Sequence, residues 1–183
     1  MWLDESGLLM APLLRRSWAP RGQPPESKHK AGHREKVSAA AALWLPPRRD
    51  RLRLAYQTLV NGYFTNLEVA DFMSAAVEGL PEPIIALWDG GAMHKGGPIH
   101  ELVDQSGGRL DIEPLPAHAP MLMPVEQVWK WLKYGRLCNF TPRDAVHLNE
   151  AVIRELEAVQ ENQELLENLF HLSDLPLPRA LLS

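Results

Sequence analysis

The hydrophobic pattern of this 183-residue chain changes its period at Thr65, and that change limits the fold more than any other feature. Before Thr65, short apolar runs are separated by proline, glycine and charge clusters. Residues 37–45 form a continuous apolar run, residues 52–58 alternate as LRLAYQT, and the cluster PPRRDR at 46–51 joins the two as a hairpin. Residues 2–4 make a short apolar lead that ends in Asp4. Residues 8–18 are apolar at both ends and read as a further strand, and RGQPP at 21–25 breaks structure before the hairpin.

From Thr65 onward the spacing is helical. Thr65 and Glu68 form a capping box, and Leu67, Ala70, Ser74 and Val77 recur on one face of a helix predicted to run to about Gly79. Pro81 and Pro83 end it. Residues 84–88, IIALW, have the pattern of a strand buried on both faces, closed by Asp89. Residues 98–105 form a short helix stopped by Gly107 and Gly108, and residues 110–115 another strand. Strands alternating with helices imply parallel pairing through βαβ units.

Pro124 opens the next helix, with Val125, Val128, Trp129 and Leu132 on an apolar stripe and Glu126, Lys130 and Lys133 on a polar one. The apolar stripe makes Trp129 a core residue. Thr141, Pro142 and Asp144 cap a last helical region, with Ala145, Leu148, Val152, Leu156 and Val159 on one face. The acids between 150 and 167 read as its solvated side, residues 165–170 as its extension, and HLSDLPLPRALLS as a proline-broken tail.

Composition narrows the class. A single cysteine, Cys138, excludes a disulfide framework and a cysteine-rich zinc site and suits a reducing compartment. No run approaches the roughly 20 apolar residues of a spanning helix, so no membrane partner and a cytoplasmic, nucleoid-associated location are expected. The net charge of −4 is a poor match to a chain that only grips nucleic acid, but it hides a gradient. Residues 1–60 carry eleven Lys or Arg against five acids, +6, which leaves −10 for the rest. Such asymmetry points to an anionic partner for the basic third, although the stretch KHKAGHREK at 28–36 also suits a solvated loop.

Three acids stand in informative places: Asp4 and Asp89 at strand ends, and Glu126 in the first turn of an amphipathic helix. Ligands gather beyond the carboxyl ends of parallel strands, so neighbouring strands would bring Asp4 and Asp89 face to face. Carboxylate oxygens suit hard divalent cations, a pair of which can act on both oxygens of a phosphodiester displacement. Each acid also has a plain alternative. Asp4 and Asp89 stand before glycines, as turn residues do, and Glu126 is spaced to pair with Lys130.

WLDESG at 2–7, SWAPRGQ at 17–23, LWDGGAMHKG at 87–96 and LPAHAPMLMPVEQVWKWLK at 115–133 occur in that order. Together they resemble the catalytic core of DDE superfamily transposases, in the bacterial insertion-sequence branch related to mariner-like elements. The resemblance spans nearly the whole chain, and its most specific block is PVEQVWKWLK. It implies an α/β fold of RNase H type, a mixed sheet flanked by helices, with a catalytic domain over residues 1–160 and a helical extension and tail over 161–183. It also implies that Asp4, Asp89 and Glu126 are catalytic and bind two Mg2+ or Mn2+ ions, for DNA cleavage at element ends and strand transfer.

DNA at element ends and target is then the expected partner. The residues expected to contact it are His94, Lys95, Lys130, Lys133, Arg136, Arg21, Lys28 and Lys30. His94, His100 and His118 match no familiar metal-ligand spacing. A homodimer is expected in the DNA complex. A helix-turn-helix module has no room before Asp4, so sequence-specific recognition is expected from a separate chain. Two positions depart from the family pattern, Gly90 and Met123, where the family carries asparagine. They frame two alternatives: an inactive, truncated or decayed copy, and a DNA-binding or interaction module that keeps the fold without chemistry.

Overall fold

The computed structural model describes residues 1–11, 13–16, 18–23, 35–91, 96–116 and 119–176. β1 (Trp2–Leu9) runs through the middle of a five-stranded sheet. On one side it pairs antiparallel with β2 (Lys36–Trp44), which pairs antiparallel with β3 (Arg53–Val60). On the other it pairs parallel with β4 (Ile84–Trp88), which pairs parallel with β5 (Leu110–Pro114), giving the order β3-β2-β1-β4-β5. The predicted hairpin and the predicted parallel βαβ half are both present.

Two crossover helices, α1 (Asn66–Gly79) and α2 (Gly97–Gln105), cover one face of the sheet, where Leu3, Met73, Ala86, Trp88 and Ile99 are buried together. The other face packs against α3 (Val125–Lys130), α4 (Ala145–Glu161) and α5 (Gln163–His171) around Ala39, Ala41, Val128, Leu156 and Phe170. Trp2 reaches into this second core and meets Phe170 edge-on, with ring centroids 5.4 Å apart. Among the described residues no helix is long and apolar enough to cross a membrane.

Local signals explain the helix starts. The Thr65 side chain accepts from the Leu67 N–H, and the Glu68 carboxylate accepts from the Thr65 N–H at 2.9 Å, completing the capping box. Asp144 caps α4 by accepting from the His147 N–H at 2.8 Å. Asn162 caps α5 in the same way through the Leu165 N–H, so the last helical region is two helices rather than one.

Several expectations are corrected. β1 does not stop at Asp4 but continues to Leu9, because β2 pairs with it along its whole length. The Asp-Glu-Ser-Gly stretch has low strand propensity and is held extended by that ladder. Residues 8–18 are therefore not a separate strand: 8 and 9 end β1, and the described residues beyond 10 are irregular. The strand buried on both faces is β2, since Ile85 of β4 is 57% exposed where the helices of the second face do not reach. On α1, Leu67 is exposed and Val69, Phe72 and Met73 are buried, so the core stripe is rotated from the predicted one. Glu155 is not part of a solvated side. It is buried, and its carboxylate accepts from Arg136 Nε at 2.7 Å.

Candidate active site

The register of the parallel half places the first two acids. Trp2 lies opposite Leu87, so two residues further along both strands Asp4 is level with Asp89 on the same face of the sheet. Asp89 stands just past the end of β4, where its carboxylate accepts from the Gly91 N–H at 2.9 Å and shapes the turn. Asp4 marks the point where β1 leaves its β4 neighbour while still paired to Ala41 of β2.

The third acid comes from the helical layer. A 3-10 turn at Pro120–Leu122 leads through Met123 to Pro124, whose fixed φ suits a helix start, and Glu126 falls in the first turn of α3. A carboxylate is favoured there by the positive end of the helix dipole. α3 lies against β1, and the Trp129 indole N–H donates to Asp4 Oδ2 at 3.0 Å, a bond across 125 residues of sequence.

Asp4, Asp89, Gly90, Met123 and Glu126 line one cleft of about 310 Å3. Burial first, and then the negative charges of Glu126, Glu5 and Asp89, push the Asp4 carboxyl up from 3.8 to about 7. Glu126 and Asp89 thus lie close enough to Asp4 for their charge to oppose its ionisation. A residues 1–149 match to the family model of DDE superfamily endonucleases accompanies this geometry.

The chain belongs to the DDE superfamily endonucleases.

Solved structures extend the likeness to the fold. The Mos1 mariner paired-end complex with Mn superposes with a TM-score of 0.66 at 15% identity, covering 93% of this chain and 51% of that one. The Mos1 strand transfer complex gives 0.65 at 15% identity, over 93% and 50%. The Mos1 mariner paired-end complex with Mg gives 0.65 at 14% identity, again over 93% and 50%. The fold is RNase H-like, and the chain spans about half the length of these solved chains. No curated protein matches it.

Among the described residues, no three His, Cys, Asp or Glu side chains are grouped so that they could hold one metal ion. The donor set nevertheless fits divalent cations. Mg2+ commonly takes only one or two protein carboxylates and fills its other positions with water and phosphate oxygens, so three acids sharing a cleft suffice. The mutual repulsion recorded at Asp4 is what such a charge would relieve.

Of the predicted phosphate contacts, Lys133 is the one the structure ties to the acids. It is half-buried, its ammonium pKa is lowered by burial, and Glu126 and Asp4 pull it the other way. Lys130 is exposed on α3, and Arg21 is exposed on the connection after β1. Arg136 is engaged by Glu155 and lies 5.6 Å from the centre of the Trp131 ring. His94, Lys95, Lys28, Lys30 and His118 lie outside the described residues.

Two features escaped the sequence reading. Trp129 is buried in the core, as its apolar stripe predicts, but its indole nitrogen also serves Asp4. Sequence periodicity could not show this, because the partner lies on a strand 125 residues away. Past Lys130 the helix widens into a π-helical turn at Trp131–Arg136, marked by the Leu137 N–H bonding to the Leu132 carbonyl. Met123 stands where the family carries asparagine. At 4% exposure it belongs to the core beneath the cleft, so the missing asparagine is replaced by an apolar packing residue.

Proposed function

We propose that this chain is the catalytic domain of a DNA transposase that cleaves phosphodiester bonds at mobile-element ends and joins the ends to target DNA. The observation that carries the reading is the convergence of Asp4, Asp89 and Glu126, from β1, the end of β4 and α3, on one cleft. Membership of the DDE superfamily endonucleases supports nuclease chemistry, and the Mos1 complexes of similar fold were solved with Mn, with Mg and with transposon ends.

Asp4, Asp89 and Glu126 would hold Mg2+ or Mn2+, two ions in this reading. When bound, these ions lower the pKa of an attacking water or 3′ hydroxyl and stabilise the departing oxygen. The protein's own part is positional. The β1–β4 register sets two carboxylates level, and the first turn of α3 brings the third. Gly90 and Gly91 keep the rim of the cleft beside Asp89 low.

Lys133 and Lys130 extend from Glu126 along the helix and offer positive charge to a phosphate backbone that reaches the acids. Arg21, Lys28, Lys30, His94 and Lys95 would add contacts from the connecting segments. Arg136 would contribute less, since Glu155 neutralises it. The working assembly is proposed to be a dimer on DNA.

The test is nicking of supercoiled plasmid and joining of a duplex with a free 3′ hydroxyl, in Mg2+ or Mn2+. Activity is expected in the wild type. Asp89→Asn and Glu126→Gln are each expected to lower it about a thousandfold, or ~4 kcal/mol of transition-state stabilisation. Undiminished activity in these variants, or activity with zinc alone, would overturn the reading.

A further inference from the structure

Trp129 combines two properties that packing alone does not require. It is 2% exposed and sits on the apolar stripe of α3, where any large apolar side chain would fill the space. A buried indole also carries an N–H that must find an acceptor or go unsatisfied. Trp2, packed against the same core, shows the second outcome: its indole nitrogen is buried with no hydrogen-bond partner. The Trp129 nitrogen instead meets Asp4 Oδ2 at 3.0 Å.

The placement on the helix matters as much as the bond. Trp129 follows Glu126 by three residues, so one turn of α3 carries both the acid that lines the cleft and the donor that holds the acid on β1. Asp4 is held on the β2 side by backbone pairing and is surrounded by like charge from Glu126 and Asp89. The Glu5 backbone N–H is a local donor within β1, whereas the indole is the donor that ties the Asp4 side chain to α3. With Oδ2 held by the indole and the Glu5 backbone N–H also bonded to the carboxylate, the plane of the Asp4 carboxylate is set from two sides.

We infer that Trp129 is a positioning residue of the active site: its indole N–H fixes the Asp4 carboxylate and locks α3, with Glu126, to β1 so that the acids are preorganised for divalent cations. The inference rests on the reading of the cleft given above. Partners of this kind around metal ligands typically alter metal affinity by 10- to 100-fold when removed.

The decisive variant is Trp129→Phe, which keeps an aromatic ring in the core and removes the donor. Mn2+ binding to the full chain without DNA, followed by calorimetry, is expected to weaken about tenfold in Trp129→Phe and to be lost in Asp4→Asn. A second measurement covers the case in which Trp129→Phe does not fold. In tryptophan-15N-labelled wild type, the indole N–H resonance that Mn2+ broadens most is expected to move upfield in Asp4→Asn.

Wild-type Mn2+ affinity in a folded Trp129→Phe, or indole resonances all indifferent to Asp4→Asn, would overturn the positioning role while leaving the carboxylate site standing. Failure of the wild type to bind Mn2+ would remove the site itself, and the inference with it.

Discussion

The two halves of the sheet on either side of β1 are built differently. In the antiparallel half, β2 is covered by helices on both faces, and Ala39, Ala40 and Ala41 are fully buried. Small side chains there let the helical layers approach closely. In the parallel half, α1 and α2 cover one face of β4 and β5, while α3 to α5 stop short on the other, so Ile85 is exposed and Asp89 faces solvent. The cleft opens along the line where that cover ends. Asp4 sits on the line itself, buried enough to resist ionisation and close enough to the opening to line the cleft. A carboxylate deeper under α4 would be neutral and unreachable, and one further out would lack a shaped environment.

The sharpest way to break this contrast is to place the same charge on the same face in each half. Ala39→Asp buries an uncompensated carboxylate at a position with no solvent access and is expected to abolish cooperative unfolding, measured by far-UV circular dichroism. Ile85→Asp, on the uncovered part, is expected to cost less than ~1 kcal/mol in urea titration. Equal damage from the two would show that cover does not divide the sheet as described.

The next effect concerns the residue on the dividing line. The Asp4 carboxyl titrates at about 7 in the folded chain against 3.8 ordinarily, so between these values the folded state holds a proton that the unfolded state has released. The stability this contributes is complete below 3.8 and is lost as pH rises through about 7. Asp4→Asn, in chelator, is therefore expected to raise stability at pH 8 by ~2 kcal/mol and to flatten the decline between about pH 4 and 7. Thermal melts across pH check the sign. A loss of stability in Asp4→Asn at pH 8 would show that its bond with Trp129 outweighs its burial and repulsion.

Smaller effects refine the comparison. Arg136→Ala leaves Glu155 buried with Arg154, at 3.5 Å, as its remaining ion-pair partner among the described residues, and because Arg136 is itself half exposed the expected cost is ~1–2 kcal/mol in urea. The smallest is Gly90→Asn. A Cβ there meets nothing within 4 Å, and the position is exposed, so stability is expected to change by less than ~0.5 kcal/mol. Any change in plasmid nicking by that variant then reads chemistry at the rim of the cleft rather than folding.

How much was legible in the sequence depended on the range of the interactions concerned. The capping box at Thr65, the turn at 46–51, the stripe of α4 and the acid in the first turn of α3 depend on neighbours a few residues away, and all four are in the structure. The three acids of the cleft were legible as residue types in a resembling pattern, and the β1–β4 register supplies the reason two of them meet. The length of β1, the rotation of the α1 stripe, the double burial of β2 rather than β4, the Arg136–Glu155 pair and the bond from Trp129 to Asp4 were not legible.

By itself, then, the sequence determined where α1, α3 and α4 begin, through caps, prolines and hydrophobic period, and which acids are available to the cleft. The tertiary structure decided which of those elements are covered, how far β1 extends, and which donor holds Asp4. These outcomes depend on groups brought together from distant parts of the chain: the ladder that holds β1 extended lies on β2, and the indole that serves Asp4 belongs to a helix 125 residues further along.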